Sequence, residues 1–335
     1  MFGLSRRTLT LSIYFPAAFV LLAVSFFLSV FLGAADIGPM EVWRAVFTNE
    51  TGSNYAIIRD IRLPREVGAA LTGAALAAAG TIMQGMTRNP LADPGLLGLT
   101  AGANLALAIM LAFLPGTNYI GLMIACMAGA SVAAAIVFGV NKMSRGPVSP
   151  FRIVLAGAAV TAFFHALAEG IGLLFRISQE VSMWTAGGLI GTNWAQLELI
   201  SPVIITALII ALLLSKQLTI LNLNEDVAVG LGQRTELVKA VLFILVILLA
   251  GTAVALVGNM AFIGLMIPHI VRSFVGTDYR FILPMSALVG AAFLLLADTA
   301  GRTINAPYET PVAALVAILG LPFFLWIVKK GGQAI

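Results

Sequence analysis

Residues 62–104 read RLPREVGAALTGAALAAAGTIMQGMTRNPLADPGLLGLTAGAN, and this stretch sets the architecture. From Val67 to Met86 it holds no charge, and its glycines and alanines recur at spacings that let helix backbones approach closely. The polar turn Arg88-Asn-Pro-Leu-Ala-Asp-Pro94 follows, and its two prolines remove backbone donors and end the helix. A second apolar helix then starts, with Gly98 and Gly102 expected on one closely packing face. Apolar helix, short polar turn, apolar helix is the unit from which polytopic membrane proteins are built.

The rest of the chain repeats that unit. Only 10% of its residues are charged, against about 25% in a soluble domain, and the mean hydropathy is +1.02. The ionisable groups lie between long apolar runs, where a bilayer tolerates them. A spanning helix needs roughly 20 apolar residues. Segments of that kind fall at about 9–32, 66–87, 96–114, 119–140, 153–175, 199–215, 237–257, 262–276, 281–301 and 311–328. The expected fold is therefore all-α, a single membrane domain over 1–335 with about ten transmembrane helices. The eighth segment is short and contains Pro268, so it is expected to span only partly or to re-enter. The longest gaps, 33–65 and 176–198, carry glycines and interface-seeking Trp184 and Trp194, and are expected along the membrane surface. Arg6 and Arg7 precede an apolar stretch too long for a cleavable signal, which reads as the first span.

Orientation follows from the basic residues. With the N-terminus inside, 13 of the 19 Lys and Arg residues, including every lysine, fall on the inner side. Arg44, Arg59, Arg62, Arg65, Arg176 and Arg302 fall outside. The positive-inside rule then places both termini in the cytoplasm. A faint internal echo, G-x-A-x-A-x-x-G, occurs at Gly73–Gly80 and Gly251–Gly258, each followed ten residues on by Pro90 or Pro268. Running in opposite directions, the copies would form an inverted repeat; chance recurrence of small packing residues is the plainer account.

Enzyme signatures are missing. The chain has two histidines, His165 and His269, and no zincin, nucleophile-elbow or phosphate-loop motif. The lone Cys126 excludes an intrachain disulfide and reads as a small packing residue. No run of five basic residues points to nucleic acid. Glu169 and Asp298 lie within apolar segments and are functional candidates by default, but a hydrogen-bonded structural carboxylate is the preferred reading for both. His269 reads as a packing or helix-start residue rather than a metal ligand, and no metal site is expected.

Three regions carry chemistry. Arg62 and Arg65 sit three apart, on one helix face, on the side where positive charge is otherwise avoided. An interfacial anchor is the plain reading and a docking point for an acidic partner the functional one. The inner loop at about 216–238 contains Asn224-Glu-Asp-Val-Ala-Val-Gly-Leu-Gly232, a short helix that Asn224 can cap, Glu225 and Asp226 favour at its start, and the glycines end. The third is the set Thr161, Phe164, Met183 and Trp184, for each of which packing or interface anchoring is the plain reading.

The order of RLPR, GAALAAAGTIMQ, RNPLADPGLLGL, NEDVAVGLG, FIGLMIPHIVRSFVGTDYR, LLLAD at 294–298 and ETPVAALVAILGLPFFLWIVKK resembles the FecCD family, the permeases of type II ABC importers for iron–siderophore complexes, haem and vitamin B12. The match spans about 59–330. It implies ten helices per subunit, a dimer of permease subunits around a central path in the bacterial cytoplasmic membrane, and alternating access. It also implies a separate ATP-binding cassette ATPase dimer that binds ATP and Mg, so that the permease itself carries no cofactor and is not an enzyme. An extracellular or periplasmic siderophore-binding protein is implied to dock through Arg62, Arg65 and Arg302, with Arg59 nearby. Asn224, Glu225, Asp226, Gly230 and Gly232 match the family's coupling helix, with Arg88, Asn89 and Asp93 on the neighbouring turn. A passage for so large and polar a cargo must hold it weakly, and the fifth, eighth and tenth segments are expected to line it, with Thr161, Phe164, Met183 and Trp184 as candidates. Residues 177–184, ISQEVSMW, look more like siderophore permeases than corrinoid ones, and a hydroxamate cargo is favoured. Haem or a corrinoid is the alternative cargo. A secondary transporter driven through Glu169 or Asp298, or a membrane enzyme, is the distant alternative class.

Overall fold

The computed structural model describes residues 10–33, 38–48, 52–95, 98–143, 150–186, 188–223, 225–306 and 308–329. Every regular element among them is helical. A π-helical turn, Thr10–Tyr14, leads into α1 (Phe15–Phe31). Two short helices, α2 (Pro39–Phe47) and α3 (Ser53–Ala56), precede a second π-helical stretch, Ile57–Arg62, and α4 (Leu63–Thr87). Then follow α5 (Leu99–Phe113), α6 (Tyr119–Met143), α7 (Pro150–Leu174) and the short α8 (Ser178–Thr185). The remaining elements are α9 (Trp194–Leu213), α10 (Ser215–Leu223), α11 (Glu225–Gly230), α12 (Thr235–Val257), α13 (Ile263–Val275), α14 (Tyr279–Thr303) and α15 (Val312–Lys329).

Eight helical stretches among the described residues are long and apolar enough to cross a bilayer, and α5 and α13 are two shorter apolar helices. All ten expected segments are thus helical, but two fall short of a full crossing by length. At 13 residues, α13 is about 20 Å long, against a hydrocarbon core of about 30 Å. Pro268 lies inside it rather than ending it.

One boundary differs. The helix expected from 66 runs continuously from Asn54 to Thr87. Pro64 stands in its path at the first turn of α4. A proline there lacks a backbone donor and crowds the preceding turn, and the π-helical stretch Ile57–Arg62 absorbs that by locally widening the coil. Gly98 is also not on a helix face. It caps the start of α5 in the left-handed region (φ 81°), while Gly102 does pack closely, against Gly129 of α6.

Helices α4, α12 and α14 form the centre and are buried over most of their length, while α1, α7, α9 and α15 are mostly exposed. That exposure is apolar, as at Phe19, Val20, Leu155, Ile209 and Leu325, which suits a lipid-facing rim. The centre is glued by glycine. A Cβ on Gly73 would lie 2.2 Å from the carbonyl oxygen of Gly290, and one on Gly80 would lie 1.9 Å from that of Gly264. Backbones this close gain dispersion contacts that lipid cannot replace.

The directions of the central helices follow from their contacts. Arg65 at the start of α4 meets Asp298 near the end of α14, whereas Gly85 near the end of α4 faces Tyr279 at the start of α14. Gly68 likewise faces Leu256, near the end of α12. Both α12 and α14 are therefore antiparallel to α4. The two copies of the internal echo run in opposite directions, yet their glycines do different work. Gly80 is a mid-helix contact, and Gly258 ends α12 with φ 73°.

Candidate functional site

The two ends of the bundle are chemically distinct. At the end where α4 begins, three arginines and three carboxylates meet. Arg65 donates through Nε and Nη2 to Asp298 Oδ2 and Oδ1, both at 2.9 Å. Its Nη1 and Nη2 also reach Glu309 Oε1 and Oε2, again at 2.9 Å. One guanidinium fork thus serves two carboxylates in planar geometry, which a lysine could not do. Arg302 donates to Glu66 and to the Ser29 carbonyl, and lies 3.4 Å from Asp298. The Ser29 hydroxyl donates to the other oxygen of Glu66. Arg62 donates to the carbonyls of Val30 and Phe31 at 2.8 and 3.1 Å, closing the end of α1 onto α4.

This geometry changes the reading of the arginines. Arg62, Arg65 and Arg302 are 4%, 8% and 5% exposed, and Glu66 and Asp298 are fully buried. They brace the bundle and do not present a free positive face in this conformation. Asp298 is the hydrogen-bonded structural carboxylate that its position suggested, and its partner is Arg65, 233 residues away in sequence. Glu309, between α14 and α15, is the one acid of the cluster that reaches the surface. The hydrogen bonds from Arg65 hold its carboxyl below the usual carboxylate range. Arg59 lies close by, and its Nε donates to the Ala45 carbonyl at 2.6 Å.

The opposite end gathers the turn after α4 and the α10–α11 segment. Arg88 ends α4 in the left-handed region (φ 51°) and is exposed. Asn89 Oδ1 accepts from the Leu91 N–H at 3.0 Å, and Asp93 Oδ1 accepts from the Gly95 N–H at 2.7 Å. Asp93 is buried against Gly264, so of these three only Arg88 is fully presented to a partner. Asn224 lies outside the described residues, as do the side chains of Glu225 and Asp226. The expected helix is present as α11, six residues long. Gly230 is its last residue, and the chain turns at Gly232 (φ 78°), where Gln233 N–H bonds back to the Ala228 carbonyl. Ala228 faces the bundle, while Val227, Val229 and Leu231 point outward, with Leu223 and Leu237 also exposed nearby.

The four candidate lining residues are not grouped. Phe164 is buried in a small cluster with Ala101 and Ala133. Thr161 is half-buried, and its hydroxyl has no protein partner. Met183 is 70% exposed on α8. Trp184 packs on the core, with its indole N–H 3.4 Å from the Val254 carbonyl. Glu169 is exposed and lines a shallow recess with Ser178, Val181 and Ser182 between α7 and α8. No group of three or more metal-ligating side chains occurs among the described residues.

Sequence reasoning missed a third feature, a polar network at the C-terminal end of α4. Gln84 is buried and donates to the carbonyls of Gly264 and Leu265. Arg272 donates to Gln84 Oε1 at 3.2 Å and to the Tyr279 hydroxyl at 3.0 Å. A lone Gln inside the uncharged run 67–86 was the available signal.

Long apolar helices zipped by glycine, with a charge cluster at one end and an exposed loop helix at the other, define a multi-pass membrane protein. The FecCD transport family model matches residues 21–330, and the chain belongs to that family. It is 45% identical to the iron(3+)-hydroxamate import system permease protein FhuB of Bacillus subtilis (strain 168), over 97% of this chain and 85% of that one. It is 37% identical to the ferric enterobactin transport system permease protein FepD of Escherichia coli (strain K12), over 96% of each. The hemin transport system permease protein HmuU of Yersinia pestis is also 37% identical, over 89% of this chain and 91% of that one. A solved structure of a metal-chelate type ABC transporter in an inward-facing conformation superposes with a TM-score of 0.78 at 29% identity, covering 95% of this chain and 99% of that one. This chain is accordingly a multi-pass permease subunit and not an enzyme; ATP hydrolysis belongs to a separate ATPase.

Proposed function

We propose that this chain carries a ferric siderophore complex of the hydroxamate type across the bacterial cytoplasmic membrane by alternating access. The 45% identity to FhuB over nearly the whole length carries the cargo assignment. A second permease subunit completes the path. Two different relatives bear the hydroxamate name, at 45% and 33% identity, which supports a partner that is a related but distinct chain. Both termini are assigned to the cytoplasm, so that the α11 end faces inward. There Val227, Val229 and Leu231 offer an apolar ridge to a groove on the ATPase, with Arg88 beside it. An exposed ridge of this kind on an inner loop needs a cover, and the ATPase supplies one. The substrate-binding protein docks on the opposite end, on the platform that Arg62, Arg65 and Arg302 brace and whose rim carries Glu309. ATP and Mg stay with the ATPase, and the permease contributes only the path and its gates.

The test is reconstitution of the permease pair with its ATPase and binding protein in liposomes. Uptake is measured for ferric hydroxamate, ferric catecholate, haem and cobalamin, with and without ATP. The expected result is ATP-dependent uptake of the hydroxamate complex above the other three. Preferential uptake of haem or cobalamin overturns the cargo assignment, and uptake without ATP overturns the class.

A further inference from the structure

Helix α13 has the form of a separable piece. It is too short to span, and non-helical backbone borders it on both sides. Gly258 (φ 73°) and Phe262 (φ 67°) precede it, and Gly276 (φ 83°) follows. No continuous helix hydrogen bonding ties α13 to α12 or α14, so it can shift as a unit without breaking a long helix. Motion in the inner loop must then reach it through side chains.

Such a route exists. One residue separates α10 from α11, and Gln233, just past α11, donates to the Gln217 carbonyl on α10 at 3.2 Å. On α10, the Thr219 hydroxyl accepts from the Tyr279 N–H at 3.0 Å and lies 3.2 Å from Asp278 Oδ1. Asp278 caps α14 by accepting from the Arg280 N–H. Tyr279 is fully buried, and its hydroxyl accepts from Arg272 in the last turn of α13. Arg272 closes the chain on Gln84, which itself holds the first turn of α13.

We infer that Arg272 is the positioning residue through which movement of the α10–α11 segment reaches α13. The inference rests on the assignment of α11 as the ATPase contact. Its chemistry suits a joint that changes partners. The hydrogen-bond partners of Arg272 are neutral, and its Nε has none in the protein. Arg65 and Arg302 at the other end are instead locked by the buried carboxylates of Asp298 and Glu66. A guanidinium on neutral acceptors is released at far lower cost than one in a buried ion pair.

Hydrogen exchange on the assembled permease–ATPase complex in nanodiscs tests this, comparing the nucleotide-free complex with the vanadate-trapped ATP state. In the wild type, exchange is expected to change both at residues 225–230 and at Ile263–Val275. In Arg272→Met the response at 225–230 should persist, while that at Ile263–Val275 falls about tenfold. Arg272→Lys, which restores the charge and donors, should recover part of it. A full α13 response in Arg272→Met overturns the inference. If that variant does not assemble, Tyr279→Phe decides, because it removes one acceptor and keeps the packed ring: a reduced α13 response supports the route, and an unchanged one refutes it. A wild type with no response at 225–230 refutes both the contact assignment and the inference. Loss confined to α13 in the variant separates the two.

Discussion

Replacing Asp298 by alanine probes the sealed charge cluster most directly. The carboxylate is fully buried and receives two hydrogen bonds from Arg65 at 2.9 Å, with Arg302 at 3.4 Å. At these separations, with charge centres about 4 Å apart and an effective dielectric near 20, each attraction is about 4 kcal/mol before desolvation is subtracted. Removing Asp298 leaves two neighbouring guanidiniums sharing Glu66 and Glu309. Breaking a buried pair in this way costs about 3–5 kcal/mol. The double variant Asp298→Ala with Arg65→Met removes the stranded charge as well as its partner. Its cost should be about 2 kcal/mol, well short of the sum of the single changes. The assay is reversible unfolding of the purified chain in mixed micelles, followed by far-UV circular dichroism for the wild type, both single variants and the double. A strong favourable coupling is expected between the two positions. Additive costs, or a loss below about 1 kcal/mol for Asp298→Ala, would refute the view that this pair braces the bundle.

Other expectations follow from the same geometry. Gly80→Ala drives a methyl into the Gly264 backbone and should cost about 3 kcal/mol, whereas Gly170→Ala, which meets nothing within 4 Å, should be neutral or slightly stabilising; thermal melts of the two variants check this. Glu309 has a lowered folded-state pKa, so its link to Arg65 contributes stability above the ordinary carboxylate range and loses it as pH falls through the lowered value. The difference in Tm between wild type and Glu309→Gln should therefore be present near neutral pH and vanish in acid, and a difference independent of pH would contradict the linkage. Glu225→Lys should abolish stimulation of ATP hydrolysis by the loaded binding protein while the permease pair still assembles; normal stimulation counts against the coupling assignment. Arg65→Glu should fail to fold before it fails to dock, because it puts a third carboxylate beside Asp298 and Glu309, and size-exclusion profiles in detergent distinguish the two.

Much of this architecture could be read from the chain because bilayers enforce a simple code. Every apolar run became a helix, and the glycine-stopped loop helix fell where its residues asked for it. The run starting at Asn54 was harder, since Pro64 and four ionisable groups at 59–62 and 65 look like a boundary. A π-helical adjustment let the helix pass through them. The candidate site was half legible. Arg62, Arg65 and Arg302 stand out as charges at the poorer end of the charge rule, which marks them as special. Their acidic partners could not be read, because Glu66, Asp298 and Glu309 lie up to 244 residues away in sequence and pairing at that range has no local signature. The same holds for Gln84 and Arg272, 188 residues apart.

That separation carries a cost in time. The ribosome completes α4, with Arg65 already in it, long before Asp298 is made, and at about 5–20 residues per second the wait is roughly 10–50 s. Throughout it, the buried acceptors that Arg65 finds in the finished bundle do not yet exist, and its guanidinium keeps water or headgroup partners instead. Translation products ending before α14 therefore lack the carboxylate that pairs with Arg65. The last part of the chain thus completes the charge pairing of one of its first helices.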